Sequence, residues 1–406
     1  MAFAHQVGGH ADTILASPLS SSTLIKPASE RELEFYQSLG PSLAGGRFVH
    51  DWTPAFYGTL RAHRASDGSA TEGAISAASQ PSGQPDMLVL ENLTHRFLRP
   101  NVLDIKLGTQ LYDEDATEEK KERMRKAAEA STSGTTGVRL TGFQVWNAAT
   151  HAYVQTEKAF GKSLAPDELE IGLARFFYPP WSPLSRAEQA ALPAVPPSTT
   201  AAVSASAANG ASPVASTSAL PISADPAVGG APSSTSSAKS ATPTASTPPS
   251  PAPLPLDLLL PVLRTLIRRL KQLIELWQTL EIRMRGGSLL IIVEGDPDAL
   301  ERAIIRSATG GGASSRSHDD KDGGAADDED DEDGASVSTT DEEGNAKPET
   351  LLPLEMRVID FAHTRAAEGE GPDEGVLLGL RAVLNLLEGL TAKLEEEEER
   401  SGREDP

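Results

Sequence analysis

One segment limits what this chain of 406 residues can fold into: residues 192–253 are almost entirely Ala, Ser, Pro and Thr. Such a segment cannot bury enough apolar surface to offset the entropy lost on ordering. A second segment, 307–348, is rich in Gly and Ser and then acidic. We expect both to be disordered inserts, which leaves a folded core of about 250–300 residues built from the flanking parts.

The negative charge of the chain is local. The formal net charge is −22, but residues 319–343 contain 13 Asp or Glu and one Lys, and 395–406 contain seven acids and two Arg. The remainder is nearly balanced and can still present a basic pocket to an anionic substrate. The chain has no cysteine, which excludes disulfides and thiolate metal sites and fits a reducing compartment.

Neither a secretory signal nor a membrane span is expected. The N-terminus lacks a basic region followed by an apolar run. No stretch approaches the roughly 18 apolar residues that a spanning helix needs.

Apolar patterning predicts a mixed α and β core. Steps of three and four predict a helix over 256–285, begun by Asp257 and stopped by Gly286 and Gly287. A coiled coil would show the same spacing.

Two buried strands are predicted on either side of the second insert, over 288–293 and 356–361. Each leads into an acidic position, so we expect these strands to pair. A final amphipathic helix over 376–390 should be capped by Asp373.

The N-terminal part combines a Gly-rich turn, Val7–His10, with Lys26 at the end of an apolar run. Two strands joined by a Gly-bearing loop, with a lysine on the second, hold ATP phosphates in protein-kinase-like folds. Glu32 is the expected partner of this lysine. The run Met87–Leu93 would then be the hinge that contacts adenine. An ordinary hairpin and a core strand are the alternatives.

Asp104 and Lys106 are the sharpest feature, because they lie two residues apart in an apolar strand and should project to the same side. Such an Asp can orient or deprotonate a hydroxyl, and such a Lys can neutralise a transferring phosphate. A buried salt bridge is the alternative. Asp360 ends another hydrophobic strand, where kinases ligate Mg²⁺.

A charged segment, 119–126, predicts a helix with Lys120, Arg123 and Lys126 along one edge. These cations suit a polyanionic small molecule. A solvated helix with internal ion pairs would have the same sequence.

Together these motifs resemble the inositol polyphosphate kinases. Four short sequences carry most of the likeness: PNVLDIKLG resembles PxxxDxKxG, SLLIIVEGD resembles SSLLxxYEG, VIDFAHT resembles IDFAH, and QVGGH resembles QVAGH. RELEFY and STSGTTGVRLTGFQVW also fit the family. YDEDATEEKKERM is similar to the fungal multikinase branch. The motifs cover most of 6–178 and 256–390 in the expected order.

The resemblance implies an α+β, two-lobed inositol polyphosphate kinase fold, protein-kinase-like and ATP-grasp-like, with two disordered inserts. The expected parts are an N-lobe (1–93), a C-lobe (94–191, 254–306 and 349–394), the inserts 192–253 and 307–348, and an acidic tail (395–406).

Site roles also follow from the resemblance, with ATP and Mg²⁺ as cofactors. The expected catalytic residues are Asp104, Lys106 and Asp360, with Asp360 also the Mg²⁺ ligand. The expected nucleotide-binding residues are Lys26, Glu32, Glu91, Leu93, Asp104, Ser288 and Asp360. The expected substrate-binding residues are Lys106, Lys120, Arg123, Lys126 and His363.

The activity implied is phosphorylation of inositol 1,4,5-trisphosphate and tetrakisphosphate, at the 6- and 3-hydroxyls, toward pentakisphosphate. The resemblance leaves open activity on phosphatidylinositol bisphosphate, and an inositol hexakisphosphate kinase making pyrophosphates is the alternative enzyme. A nuclear scaffold binding basic proteins through the acidic insert is the alternative of another class. We expect a monomer in nucleus and cytoplasm, without direct nucleic-acid binding.

Overall fold

The structure is a computed structural model and describes residues 2–8, 14–18, 20–60, 87–179, 185–191, 252–308 and 353–404. Nearly all of the two predicted inserts lies outside the described residues. So do Gly9 and His10, the second half of the predicted Gly-rich turn.

The strands form a four-stranded sheet, a five-stranded sheet and a two-stranded ribbon, with orders β1-β2-β4-β3, β10-β9-β5-β6-β7 and β11-β8. Their bounds are β1 Leu15–Ala16, β2 Thr23–Pro27, β3 Phe56–Leu60, β4 Met87–Glu91, β5 Pro100–Leu107, β6 Val138–Asn147, β7 Ala152–Thr156, β8 Ile282–Met284, β9 Ser288–Glu294, β10 Leu354–Ile359 and β11 Thr364–Ala366.

Helices pack on the larger sheet, against β5, β6, β9 and β10. Their bounds are α1 Glu30–Glu34, α2 Gly40–Ser42, α3 Arg47–Trp52, α4 Glu118–Glu129, α5 Ser133–Thr136, α6 Lys158–Ser163, α7 Leu169–Phe177, α8 Arg186–Ala191, α9 Leu256–Trp277, α10 Pro297–Ala308 and α11 Glu374–Glu404, with a π-helical turn Phe35–Leu39 and 3₁₀ turns Leu43–Gly46 and Pro166–Glu168.

The five-stranded sheet is antiparallel throughout, with β5 at its centre. Strands β9 and β10 pair from Val293↔Leu354 to Ile359↔Ser288. The predicted pairing across the acidic insert is therefore confirmed. The predicted strand over 356–361 is wrong at its end. Strand β10 ends at Ile359, so Asp360 and Phe361 lie in the turn that follows.

Helix α9 ends at Trp277, so the predicted helix over 256–285 is wrong in its last turns. Residues Ile282–Met284 instead form β8, which pairs with β11. Leu280 and Met284 continue the helical spacing, yet Ile282 and Met284 also alternate as strand residues do, and pairing with β11 selects the strand. The N-cap position is Pro255, and not Asp257 as predicted.

Helix α11 begins as predicted: the Asp373 carboxylate accepts hydrogen bonds from the backbone N–H groups of Gly375 and Val376. Residues 395–404, predicted as an acidic tail, instead continue the helix. By length and composition alone the helix could cross a membrane. Its apolar face is buried within the protein, where α11 packs on α9 and α7, as a core helix does.

Candidate active site

A cleft of about 870 Å³ lies between the four-stranded and five-stranded sheets. It collects side chains from β2, α1, the end of β4, β5 and the turn after β10. Among its lining residues are Lys26, Glu32, Glu91, Leu93, Asp104 and Asp360. The structure thus brings together six of the seven residues that the sequence and the resemblance assign to nucleotide binding. Ser288 does not line the cleft; it is buried in β9, opposite Lys106.

Lys26 joins two carboxylates at the base of this cleft. Its Nζ atom lies 2.9 Å from Glu32 Oε1 and 2.5 Å from Asp360 Oδ1. Burial alone would lower the pKa of Lys26, but Asp360 and Glu32 hold it above its usual range. Burial would likewise raise the pKa of Asp360, but Lys26 and Lys106 hold it below its usual range. Lys26 and Asp360 are therefore both charged at neutral pH.

Glu32 is positioned by the start of α1. Ser29 caps this helix, and its side chain accepts a hydrogen bond from the Glu32 backbone N–H. Glu32 is almost fully buried, and burial raises its pKa despite the opposing charge of Lys26. A lysine held by a buried glutamate on a helix is the arrangement on which protein kinases depend.

Asp360 has a positive φ of 67°, which is uncommon for a residue other than glycine. Such a conformation costs on the order of 1–3 kcal/mol and persists when neighbouring packing imposes it. Here the next residue, Phe361, is fully buried. Its ring stacks on Phe35 at 3.8 Å and meets Phe48 edge-on. This packing fixes the turn and directs the Asp360 carboxylate toward Lys26.

Asp104 is a second deeply buried carboxylate of the cleft, with 4% of its surface exposed. Burial raises its pKa to about 6, against the opposing charge of Lys106. Its Oδ1 atom has no hydrogen-bond partner within 3.5 Å among the described residues, although the nearby Ser288 hydroxyl opposes the rise in its pKa. A buried carboxylate oxygen without a partner is costly and suits a site that a ligand completes.

These residues fit a nucleotide with a divalent cation. Within the described part of the chain, no cluster of three or more His, Asp or Glu side chains could hold a metal ion by itself. Mg²⁺ does not require one, because one or two carboxylates and the nucleotide phosphates suffice. Asp360 can supply the carboxylate, and Lys26 can contact the phosphates.

The N-terminal segment closes the cleft from the side of β6. A Cβ atom on Gly8 would lie 1.7 Å from Asp104 Oδ2, and one on Gly142 would lie 2.2 Å from the Val7 carbonyl oxygen. Glycine is therefore required at both positions for the close approach of backbone. His5, bonded to Gln144 at 2.7 Å, anchors the segment to β6.

Lys106 lies beside Asp104, as the alternation of the strand predicts. Its Nζ atom donates a hydrogen bond to the Gly286 carbonyl oxygen. Burial lowers the pKa of Lys106, while Asp104 and Asp360 oppose the shift. No salt bridge within 4.0 Å joins Asp104 and Lys106, although a buried salt bridge was the alternative interpretation of this pair. The charge of Lys106 nevertheless opposes the rise in the pKa of Asp104.

Two cations that sequence reasoning missed also act on Asp104. Arg139 in β6 faces Lys106 across the sheet, and Lys158 begins α6. Lys158 lowers the pKa of Asp104, and Asp104 in turn opposes the lowering of the Arg139 pKa by burial. Arg139 lies in a motif quoted above, but only the antiparallel pairing of β5 with β6 brings it to the site.

The predicted substrate-binding residues of α4 do not line the cleft. Lys120 is half-buried, and Arg123 and Lys126 are exposed. Lys126 lies 3.3 Å from Glu122 within the same helix, whereas no ion pair involves Lys120 or Arg123 among the described residues. His363 is also outside the cleft lining; its Nδ1 atom lies 2.7 Å from Asp113. The roles of these four residues stay predictions.

The connection between the sheets is held by a buried glutamate that was not assigned a role. The Glu294 carboxylate accepts hydrogen bonds from the backbone N–H groups of Leu98 and Arg99, at 2.7 and 2.8 Å. At the other end of this connection, Glu91 accepts a 3.2 Å hydrogen bond from the Ala55 N–H. Both contacts fix the backbone that borders the cleft.

Comparison with known proteins agrees with this geometry. The family model described as inositol polyphosphate kinase matches residues 87–194 and 257–388, more than half of the chain. The chain belongs to the inositol polyphosphate kinase family. It is therefore a kinase, and the expected α+β kinase fold is confirmed by a crystal structure of the inositol phosphate multikinase of Saccharomyces cerevisiae with ADP and Mn²⁺. That structure has a TM-score of 0.50 at 22% identity and covers 91% of this chain and 99% of its own.

Curated relatives include inositol polyphosphate multikinases and inositol hexakisphosphate kinases. The inositol polyphosphate multikinase of Schizosaccharomyces pombe is 30% identical over 175 residues, 43% of this chain and 62% of that protein. The multikinase of Saccharomyces cerevisiae is 26% identical over 421 aligned positions, 94% of this chain and 96% of that protein. Inositol hexakisphosphate kinase 1 of Mus musculus is 38% identical over 91 residues, 22% of this chain and 21% of that protein.

Proposed function

We propose that this kinase is an ATP- and Mg²⁺-dependent inositol polyphosphate multikinase. It phosphorylates inositol 1,4,5-trisphosphate and tetrakisphosphate at the 6- and 3-hydroxyls to reach the pentakisphosphate. The observation that carries the proposal is the arrangement around Asp104: a buried carboxylate with an unpartnered oxygen, flanked by Lys106, Arg139 and Lys158. The multikinase relatives and the ADP and Mn²⁺ of the yeast structure support it.

Asp104 and Lys106 have different roles in phosphoryl transfer. With a pKa of about 6, Asp104 is mostly ionised at neutral pH and can accept a hydrogen bond from the attacking hydroxyl, orient it and take its proton. Lys106 neutralises charge on the transferring phosphoryl group, since its ammonium lies at the same edge of β5. Asp360 would hold Mg²⁺, which would offset charge on the nucleotide phosphates.

Lys26 and Asp360 bind the nucleotide and its metal ion. Both are already aligned by Glu32 and by the packed turn at Phe361, so little reorganisation is needed when nucleotide binds. Arg139 and Lys158, with Lys120, Arg123 and Lys126, supply positive charge for the phosphates of the acceptor, and His363 contacts the acceptor.

The experiment is product analysis. Purified full-length protein is incubated with labelled ATP, Mg²⁺ and each inositol phosphate in turn, and products are separated by anion-exchange chromatography. We expect tetrakisphosphate and then pentakisphosphate from the trisphosphate. Transfer to hexakisphosphate without transfer to the trisphosphate would overturn the proposal.

That outcome would favour the second candidate, an inositol hexakisphosphate kinase. The observation in its favour is the 38% identity of the mouse enzyme, although over only 91 residues. The same assay, with phosphatidylinositol bisphosphate in mixed micelles, tests the lipid activity.

A scaffold role for the acidic segment remains a proposal of another class, together with residence in nucleus and cytoplasm. It is tested by comparing the phenotype of a catalytically inactive Asp360→Asn chain with that of a deletion of 319–343.

A further inference from the structure

The loop between β5 and α4 carries three consecutive acids, Asp113, Glu114 and Asp115. They differ in environment: Asp113 is buried, with 7% of its surface exposed, whereas the side chain of Asp115 is 67% exposed. A buried carboxylate is costly unless it is paired. Asp113 must therefore be held by its partners, and these partners show what it does.

Asp113 contacts two basic residues, one in α1 and one in the turn after β10. Its Oδ1 atom lies 3.3 Å from Arg31 Nη1, and its Oδ2 atom lies 2.7 Å from His363 Nδ1. Arg31 precedes Glu32 in α1, and His363 follows Asp360 by three residues. One carboxylate thus connects both elements that position the Glu32–Lys26–Asp360 chain of ion pairs.

Helix α1 continues directly into the π-helical turn Phe35–Leu39, whose buried Phe35 and Tyr36 hold its C-terminal end. The contacts of Ser29 and Arg31 hold its N-terminal end. It is held to the turn at 360–363 by Ser29, whose hydroxyl donates a 3.3 Å hydrogen bond to the Ala362 carbonyl oxygen, and by the bridge from Arg31 through Asp113 to His363. A loss of this bridge would leave the stacking of Phe35 on Phe361 in place but would loosen the polar ends of α1 and of the turn, which contact Lys26 through Glu32 and Asp360.

The same contact orients His363. Because Nδ1 faces a carboxylate, this nitrogen carries the proton and donates the hydrogen bond, and Nε2 is left as the nitrogen that a bound ligand can contact. Glu114 is different, because it pairs with Arg285 and Arg365 of the β8–β11 ribbon and has no contact with α1 among the described residues.

We propose that Asp113 is a positioning residue of this kinase: it acts through Arg31 on the Lys26–Glu32 pair and through His363 on the turn that carries Asp360. The inference rests on phosphoryl transfer in the cleft under the proposed function. It requires no contact between Asp113 and a substrate.

The first test compares the variant Asp113→Asn with the control variant Asp115→Asn. Both variants lose one charge from the same loop. Asp115 also pairs with Arg31, at 2.5 Å, but it is exposed and has no contact with His363 among the described residues. Its variant leaves the Asp113 bridge in place and should stay within about 3-fold of wild type in kcat and KM, because exposed ion pairs contribute little. Asp113→Asn should lower kcat about 10-fold or more, as losses of supporting contacts do. A kcat within 3-fold of the control would overturn the proposal.

A double-mutant cycle separates positioning from general stability. In a chain that already carries Arg31→Ala and His363→Ala, Asp113→Asn should lower kcat by less than about 2-fold further, since both routes are gone. An undiminished effect in that background would show that Asp113 acts elsewhere. If Asp113→Asn does not fold, Arg31→Ala and His363→Ala are tested singly, and two variants with wild-type kcat would overturn the proposal.

Calorimetric titration with MgADP keeps this inference distinct from the proposed function. Asp113→Asn should bind MgADP more weakly than Asp115→Asn by about 3-fold or more, because Lys26 and Asp360 are less well placed. If wild type phosphorylates no inositol phosphate, the proposed function fails, and the two MgADP affinities still decide the role of Asp113: equal affinities would overturn it.

Discussion

Replacing Asp104 by Asn should stabilise the folded protein while abolishing turnover. Asp104 is buried with one unpartnered oxygen, and its pKa rises from 3.8 to about 6. Between these values the folded chain holds a proton that the unfolded chain has released. The contribution of Asp104 to stability therefore falls as pH rises through this window and is constant above it.

The size of the effect follows from the two pKa values. A difference of about two units corresponds to about 3 kcal/mol of lost stability once Asp104 is ionised. About 2 kcal/mol of this loss falls between about pH 4.5 and about pH 8. Asn keeps the shape and cannot ionise. The unfolding free energy of Asp104→Asn, relative to wild type, should therefore increase by about 2 kcal/mol between these two pH values.

Urea unfolding of both proteins at each pH measures this difference, with Asp115→Asn as the control. The control changes an exposed carboxylate and should shift stability by less than about 0.5 kcal/mol at either pH. Kinetics of the same Asp104→Asn preparation should show turnover reduced by about 10²-fold or more. If the stability difference between variant and wild type is the same at both pH values, the carboxyl is not held in a buried, charge-disfavouring site and the reasoning is wrong.

Three further predictions concern the other parts of the cleft. Asp360→Asn should reduce turnover by about 10²-fold or more with the fold intact, and near-normal rates at saturating Mg²⁺ would remove Asp360 from the metal site. Gly8→Ala should lower turnover, because its Cβ would collide with Asp104, and circular dichroism should show an unchanged fold; full activity would mean that the N-terminal segment does not close on Asp104. Lys120→Ala with Arg123→Ala should raise the KM for inositol phosphate strongly, at roughly 1.5–3 kcal/mol per lost contact, and leave the KM for ATP unchanged. The control for that pair is Lys121→Ala with Arg125→Ala, whose side chains pair with Glu118 and Glu122. Equal KM values in the two double variants would show that α4 is a solvated helix without a role in substrate binding.

The sequence predicts those features that depend on local pattern. The cap at Asp373 follows from a carboxylate placed before an apolar repeat, and the side shared by Asp104 and Lys106 follows from strand alternation. The end of α9 could not be predicted, because Leu280 and Met284 satisfy helical and strand spacing equally, and only pairing with β11 decides.

The sequence also could not predict contacts between residues that are brought together by long-range pairing. Arg139 reaches Asp104 through the register of β5 with β6, and Asp113 meets Arg31 only because β5, α1 and the turn after β10 converge. A run of acids before a helix has no pattern that separates the buried Asp113 from the exposed Asp115. Their difference is set by tertiary packing.

Several groups in the cleft destabilise the folded protein, and the rest of the fold must offset this loss of free energy. Asp104 is buried without a full set of partners, and Asp360 adopts a strained backbone. The packing of Phe361 against Phe35 and the two ion pairs of Asp113 oppose these costs at the same place. Removing a strained functional group and removing one of its supports should therefore have opposite effects on stability. Asp104→Asn should lose turnover and gain stability above pH 6, whereas Asp113→Asn should lose turnover without that gain, because Asn at this buried position weakens the contacts with Arg31 and His363. Comparing the two variants at the same pH distinguishes a group that reacts from a group that positions it.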